Sequence, residues 1–116
     1  RKEILVYAST RKQLSLLQFY FPQYIKRRMK ARIKIKVLTE KSKEALDIHK
    51  RNKQELRKMR FLPKGFELPT ATNIYGNKVA ILSLEKEPIG VIIENEDIAR
   101  SQKMVFNLLW KMAQHS

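Results

Sequence analysis

The sequence predicts an α/β domain, a mixed sheet flanked by helices, with its elements in the order β-α-β-α-β-β-β-β-α. Three observations carry this. Up to about Leu62, short apolar runs alternate with stretches of helical periodicity, as in β-α-β units. From Asn73 to Asn95, NIYGNKVAILSLEKEPIGVIIEN reads as three strands joined by tight turns. Within it, Val79 to Leu84 and Ile89 to Ile93 are near-continuous apolar runs, as in strands covered on both faces. That places these two strands at the centre of the sheet.

Each element has a local reason. Glu3 to Ala8 (EILVYA) is an apolar run ended by Ser9-Thr10 and forms the first strand. Thr10 is placed to N-cap the next helix, with Gln13 three residues on, as in a capping box. Leu14, Leu17, Phe21, Tyr24 and Ile25 recur at helical spacing, and Pro22 either kinks this helix or opens a second one as its N1 residue. From Arg32 the period changes to two. Arg32, Lys34 and Lys36 alternate with Ile33, Ile35 and Val37, a strand whose basic face is open to solvent or to an anionic partner.

Lys41 to about Lys58 is a polar surface helix whose few apolar positions are Ala45, Ile48, Leu56 and Met59. Arg60-Phe61-Leu62 is a short strand closed by Pro63, and Lys64 to Pro69 is a loop. Gly76-Asn77 suits a two-residue hairpin turn. Glu85 to Pro88 makes the next turn, with Pro88 at a strand's first residue, where a missing N–H is harmless. Asn95 N-caps the last helix, and Glu96 and Asp97 suit its positive end. Ile98, Val105, Leu109 and Met112 mark one face of that helix, broadened by Phe106 and Leu108.

The composition bounds the function. The chain has 116 residues, 43% of them hydrophobic and 31% charged, which fits one globular domain with a real core. It has no cysteine, which excludes a disulfide framework and fits a reducing cytoplasm. No apolar run approaches the roughly 18 residues of a membrane span, and no signal peptide is present, so no membrane partner is expected. The chain opens at Arg1, almost directly in a strand, and the expectation is a fragment preceded by a further domain. The net charge is +14. Residues 1–60 hold 19 basic and 5 acidic residues, whereas residues 61–116 hold 6 of each. Such a one-sided field points to an anionic partner, and a lysine-rich solubilising surface is the plainer reading.

The catalytic inventory is thin. His49 sits on the polar helix and His115 at the chain end, neither with a partner at metal-ligand spacing, so no metal site is expected. Glycines 65, 76 and 90 make no phosphate-cradling loop, and no nucleophile elbow exists. Glu85 and Glu87 read as a solvated turn, and Glu94, Glu96 and Asp97 as helix capping. Residues 26–36, KRRMKARIKIK, carry seven basic residues and no acid. Lys26, Arg27, Arg28, Lys30, Arg32, Lys34 and Lys36 are therefore the candidates for anion or nucleic-acid contact.

The stretch IYGNKVAI, followed by GVIIEN and FNLLWK, resembles the C-terminal effector domain of TrmB-like archaeal and bacterial transcriptional regulators. FPQYIKRRMKARIKIKVLTE and ELRKMRFLP extend the likeness, which covers about Ile4 to Ala113. The resemblance implies a phospholipase D-like fold, with a winged-helix DNA-binding domain and a helical linker ahead of it in the intact regulator. It also allows a test of enzymatic function. Phospholipase D-type sites use H-x-K-x-x-x-x-D, with the His as nucleophile. Laid on the hairpin, Lys78 takes the Lys position, but Gly76 and Ser83 stand where the His and Asp belong. Without a nucleophile the chemistry cannot run. Larger family members carry a further sugar-binding segment beyond this region, which this sequence lacks, so sugar sensing is not carried over.

The resulting expectation is a single non-catalytic regulatory domain spanning residues 1–116, with no catalytic residue and no cofactor. Its expected partners are a second copy, DNA through an absent N-terminal domain, and a small anionic effector. Tyr75, Asn77 and Lys78 are the candidate ligand residues, although Lys78 also reads as an ordinary hairpin-edge lysine. Trp110, Phe106 and Leu109 are the candidate dimer contacts. The rival reading is a nucleic-acid-binding module working through residues 26–36, and the third is a phosphodiesterase or nuclease.

Overall fold

The computed structural model describes residues 3–18, 20–87 and 89–113. Its elements are β1 (Glu3–Tyr7), α1 (Thr10–Leu17), α2 (Phe21–Lys30), β2 (Lys34–Thr39), α3 (Lys43–His49), β3 (Arg57–Phe61), β4 (Thr70–Tyr75), β5 (Lys78–Ser83), β6 (Gly90–Glu94) and α4 (Glu96–Met112). The sheet order is β3-β2-β1-β4-β5-β6. β1, β2 and β3 run parallel, and β4, β5 and β6 continue antiparallel from β1. The domain is thus α/β with a mixed sheet flanked by helices. Its chain order departs from the expectation in placing two helices between β1 and β2, with Pro22 opening the second.

Two cores lie on the two faces. Val6, Ile35, Val37, Met59, Phe61 and Ala71 pack under α1, α2 and α3, which contribute Leu14, Phe21, Ala45 and Ile48. Leu5, Leu38, Ile74 and Val79 pack on the other face against Ala99 and Phe106 of α4. β1, β2 and β4 supply buried residues to both clusters, so these strands are buried on both sides.

This corrects the placing of the strands at 79–84 and 89–93. β5 lies second from one edge and β6 is that edge. Val91 is half-exposed and Ile92 is 69% exposed. A run of apolar residues records that both faces avoid water in some state of the molecule; it does not say which element covers them. Here β1 and β4 take the centre, with α1–α3 over one face and α4 over the other. Pro88 lies outside the described residues, and so does His115.

The helix caps refine the boundaries. Ser9, not Thr10, is the N-cap of α1, its hydroxyl accepting from Lys12 N–H at 3.1 Å. Thr10 instead hydrogen-bonds Thr39 at 2.8 Å, at the ends of the parallel strands. Asn95 caps α4 as expected, accepting from Ile98 N–H at 2.9 Å. α2 ends in a Schellman turn: Arg32 N–H reaches Met29 O and Ile33 N–H reaches Arg28 O, with Arg32 at φ 57°. β2 therefore begins at Lys34 rather than Arg32.

The polar helix is shorter than its periodicity implied. α3 stops at His49, and a series of turns leads to Leu56 at φ 55°, where Arg57 N–H closes onto Asn52 O at 2.8 Å. Only Ala45 and Ile48 of the expected stripe are buried within the helix. Met59 is buried too, but from strand β3. A helix with two core residues gains little by continuing, and the parallel ladder from β2 claims Arg57–Phe61. Gly76, at φ 57°, makes the expected β4–β5 turn, with Tyr75 paired to Lys78.

At the ends of the parallel strands a loop is tied to α1. Arg11 donates to both carboxylate oxygens of Glu67, and Ser9 Oγ donates to it at 3.1 Å. Glu40 accepts from Thr10 N–H at 2.9 Å. The hydrogen bonds and charge of Arg11 hold the Glu67 carboxyl below its ordinary 4.5.

Two stability results follow. Phe106→Ala removes a fully buried ring that stacks on Tyr7 and Trp110, and should cost about 3–5 kcal/mol in denaturant unfolding. The depressed Glu67 stabilises the fold above the ordinary carboxylate range, and this contribution is lost as pH falls through the folded value. Glu67→Gln should therefore lower stability at neutral pH and flatten its fall below about pH 4.5, measured as thermal midpoint against pH.

Candidate functional site

The residues singled out in the sequence fall in three separate places. Tyr75, Asn77 and Lys78 sit at the β4–β5 hairpin. Tyr75 lines a shallow groove of about 500 Å³ with Glu3, Tyr24, Asn73 and Gly76. Asn77 and Lys78 lie outside that groove; Lys78 stands opposite Glu94 in the β5–β6 register. Asn77 contributes through its backbone, its carbonyl accepting from Asn95 N–H at 2.9 Å just before α4. The hairpin therefore positions the last helix, and its three side chains do not converge on one point.

The seven basic residues divide rather than form one patch. Lys26, Arg27 and Lys30 are exposed on α2, with Arg27 over the Tyr20 ring at 5.3 Å. Arg32 is exposed at the turn. Ile35 and Val37 face the α1–α3 core, so Lys34 and Lys36 project from the opposite side of the sheet. Arg28 is in neither group, being 3% exposed.

On the α4 side, Lys34 and Lys36 are joined by two residues that sequence reading left out. Lys36 pairs with Lys58 in register and Leu38 with Arg60, so Lys58 and Arg60 of β3 continue the basic strip. Trp110 closes the inner end of the strip. Arg60 lies over its ring at 4.6 Å and donates to its carbonyl at 2.6 Å, and Lys36 lies over it at 5.5 Å. The alternation of β2 revealed half of this strip; the rest needed the parallel partner, which sequence cannot name.

α4 carries two apolar stripes. Ala99, Phe106, Leu109, Trp110 and Ala113 face the sheet. Met104, Val105, Leu108 and Met112 face outward, Met112 being 75% exposed. Of the expected dimer contacts, Phe106 is corrected by its burial. Phe106 is fully buried beneath the helix, and Leu109 and Trp110 pack against the same core. Spacing on a helix whose apolar residues extend beyond one face cannot tell which stripe meets the sheet. The exposed stripe lies on the same side of the sheet as the open Val91 of β6.

A cleft of about 180 Å³ lies between α1, α2 and the sheet. Phe21, Tyr24, Ile35, Val37 and Met59 form its apolar wall, and Gln13, Arg28, Arg57 and Asn73 its polar groups. Arg28 Nη1 donates to Ile33 O at 2.8 Å and Nη2 to Glu55 O at 2.6 Å. Its Nε is buried and has no hydrogen-bond partner among the described residues. Arg57 donates to Glu55 Oε1 at 2.8 Å, and the other oxygen of Glu55 lies 3.4 Å from Arg51 Nε. Burial lowers the pKa of both guanidiniums and raises that of the Tyr24 phenol. The sequence held one signal for this site. Phe21, Tyr24, Ile25 and Arg28 share one helical stripe, so a cation stands where the pattern calls for an apolar residue.

Among the described residues, no group of three or more His, Cys, Asp or Glu could hold a metal ion, and no helix is long and apolar enough to cross a membrane. No family model matches the chain, and no curated protein matches it. Among solved structures, the chain is similar to TrmBL2, an archaeal chromatin protein whose structure is described as showing a novel mode of DNA binding. The two are 21% identical and superpose with a TM-score of 0.64 over 98% of this chain. The chain spans 45% of the length of the TrmBL2 chain. At that identity the likeness establishes a shared fold.

Proposed function

We propose that this chain is a non-catalytic regulatory domain of a TrmB-like, cytoplasmic DNA-binding regulator, with a phospholipase D-like fold, used for self-association and for sensing a small anionic effector. The observation that carries the reading is the likeness to TrmBL2 over nearly the whole chain. The resemblance of the 74–81, 90–95 and 106–111 motifs to the effector domain of such regulators supports it. In those proteins a winged-helix domain makes the DNA contact. Gly76 and Ser83, in place of a nucleophile and its acid partner, support a role without catalysis.

The outer stripe of α4 supports a two-fold dimer. Four large apolar side chains exposed on one helix face form the kind of patch that marks an interface. They belong to the half of the chain in which acids and bases balance. Regulators that read paired half-sites favour such symmetry.

The nucleic-acid-binding reading is favoured by one observation, the strip of Lys34, Lys36, Lys58 and Arg60 on the open face of β2 and β3. The scatter of the other basic residues weighs against it as the main function. Such a strip neutralises phosphates and reads no bases.

Light scattering across a concentration series should give a dimer for the native chain, and Leu108→Glu should give a monomer with unchanged circular dichroism. A native chain that stays monomeric at every concentration overturns the self-association reading. Duplex DNA should bind weakly and equally for two unrelated sequences, with a log–log salt slope of roughly −0.9 per phosphate contacted, and release near physiological salt. Lys34→Ala combined with Lys58→Ala should reduce that slope. Tight, salt-resistant binding to one duplex would instead promote the nucleic-acid-binding reading.

A further inference from the structure

We propose that the strip of Lys34, Lys36, Lys58 and Arg60 is one wall of a groove whose other wall is α4, and that this groove holds the backbone of duplex DNA without reading its sequence. The inference rests on the nucleic-acid reading of the strip. It goes beyond that reading in adding the helix wall and in naming the form of nucleic acid.

The helix wall follows from how α4 lies. It runs across the strands: Asn95 N–H bonds Asn77 O at its start, and near its end Trp110 meets Arg60 of β3 and Lys36 of β2. At 3.6 residues per turn, Lys103, Asn107 and Lys111 share one flank with Trp110 at its border, and Ile98, Gln102, Val105 and Leu109 share the other. Gln102 accepts from the Tyr7 hydroxyl at 2.8 Å, at the C-terminal end of β1. The lysine flank therefore looks toward the N-terminal half of the parallel strands, where Lys34 and Lys36 stand opposite Glu3 and Leu5. α4 thus has an apolar flank and a basic flank, and the basic one leans over the basic strands.

The charges are available to a partner. Among the described residues, Lys34, Lys58, Lys103 and Lys111 have no carboxylate at ion-pair distance. Glu3 is the acid that reaches the groove, 4.0 Å from Lys36. Lys34, Lys58, Asn107 and Lys111 are exposed. The face is open rather than enclosed, and neither the α2 cleft nor the hairpin groove includes any of these residues. A trough of spread lysines suits an extended polyanion, whose bound counterions are released as each phosphate is neutralised.

Trp110 decides between duplex and single strand. Single-strand sites stack bases on open aromatic rings. Here the indole is already partnered by Lys36, Arg60 and Phe106. The bases are therefore left in the duplex, and lysines, which bind phosphate as point charges, meet the backbone. In the regulatory reading another domain holds the DNA, so even a weak contact here is made at high effective concentration.

The test is a titration of this chain at low salt with a duplex, with one of its single strands and with poly-glutamate, followed by amide chemical shifts and by the emission of Trp110, the one tryptophan of the chain. The duplex should shift Lys34, Lys36, Lys58, Lys103 and Asn107 saturably and change the Trp110 emission. It should bind several-fold more tightly than the single strand or poly-glutamate. Lys103→Ala should lessen the log–log salt slope by roughly 0.9, as Lys34→Ala does. Lys26→Ala, exposed on α2 at the other face of the sheet, should leave the slope unchanged. Equal or tighter binding of the single strand or of poly-glutamate, equal effects of Lys26→Ala and Lys103→Ala, or no binding at low salt overturns the proposal. Binding that responds to Lys34→Ala but not to Lys103→Ala overturns the groove and leaves the strip reading in place, so the two failures are distinct. The ligand comparisons use the native chain and decide even if a variant does not fold.

Discussion

The parallel half of this fold depends on one buried cation. Arg28 sits in the last turn of α2 and donates to the carbonyls of Ile33 and Glu55, with Leu56 O at 3.5 Å. Those carbonyls belong to the two turns that deliver the chain into β2 and β3. Each turn closes with a residue at positive φ, Arg32 in one and Leu56 in the other, and neither is glycine. Such turns leave carbonyls that must be satisfied, and the guanidinium satisfies both sets at once. Ile35 N–H then bonds Leu56 O at 3.0 Å, so the β2–β3 register begins where Arg28 holds the backbone. Arg57 repeats the device one layer on, reaching Ile48 O, Asn52 Oδ1 and Glu55. Removing either side chain would expose a buried acceptor as well as open space, and the cost of an orphaned polar group exceeds the worth of the bond itself.

This constraint explains how the chain divides its labour. The parallel half carries the excess positive charge, because its crossovers are closed by arginine rather than by glycine and its outer strands keep lysines on the uncovered face. The antiparallel half needs no such clamp. Its turns are local: Gly76-Asn77 joins β4 to β5, and Asn95 N–H bonds Asn77 O to set the start of α4. That half is electrically balanced and apolar on its outside.

Much of this was legible in the sequence, and the parts that were not share a cause. Most short-range signals held: the Gly76-Asn77 turn, the Asn95 cap and the two-faced alternation of Lys34–Val37 all act within a few residues, and of the two readings of Pro22 the helix opener is found; the Thr10 cap did not hold, since Thr10 bonds Thr39 and Ser9 caps α1. What failed required knowledge of neighbours distant in the chain. The apolar runs of β5 and β6 reveal avoidance of water but not the sheet order, which is fixed by β1 pairing with β2 on one side and β4 on the other. The polar helix ended early because the β2 ladder competes for Arg57–Phe61. α4 hid its inner stripe because both stripes are apolar. The cleft was visible only as an anomaly, Arg28 on the stripe of Phe21, Tyr24 and Ile25, and residues 26–36 read as one basic surface concealed that one member faces inward.

The same asymmetry limits how the exposed apolar surface can be covered. β6 is a sheet edge with Val91 and Ile92 open, and such an edge invites pairing with any other strand. An open, head-to-tail use of it would bring one copy's antiparallel half against another's parallel half, and would propagate. The basic residues do not prevent that step, since their charge meets a neutral surface. A two-fold arrangement through α4 is different. It would appose like halves, both electrically balanced in sequence and both apolar on the outer face of α4. It also closes after two copies, because the outer stripe of Met104, Val105, Leu108 and Met112 is consumed on both sides. Burial of apolar area would favour such a pairing, and the Arg28 cleft lies on the opposite face of the sheet from it.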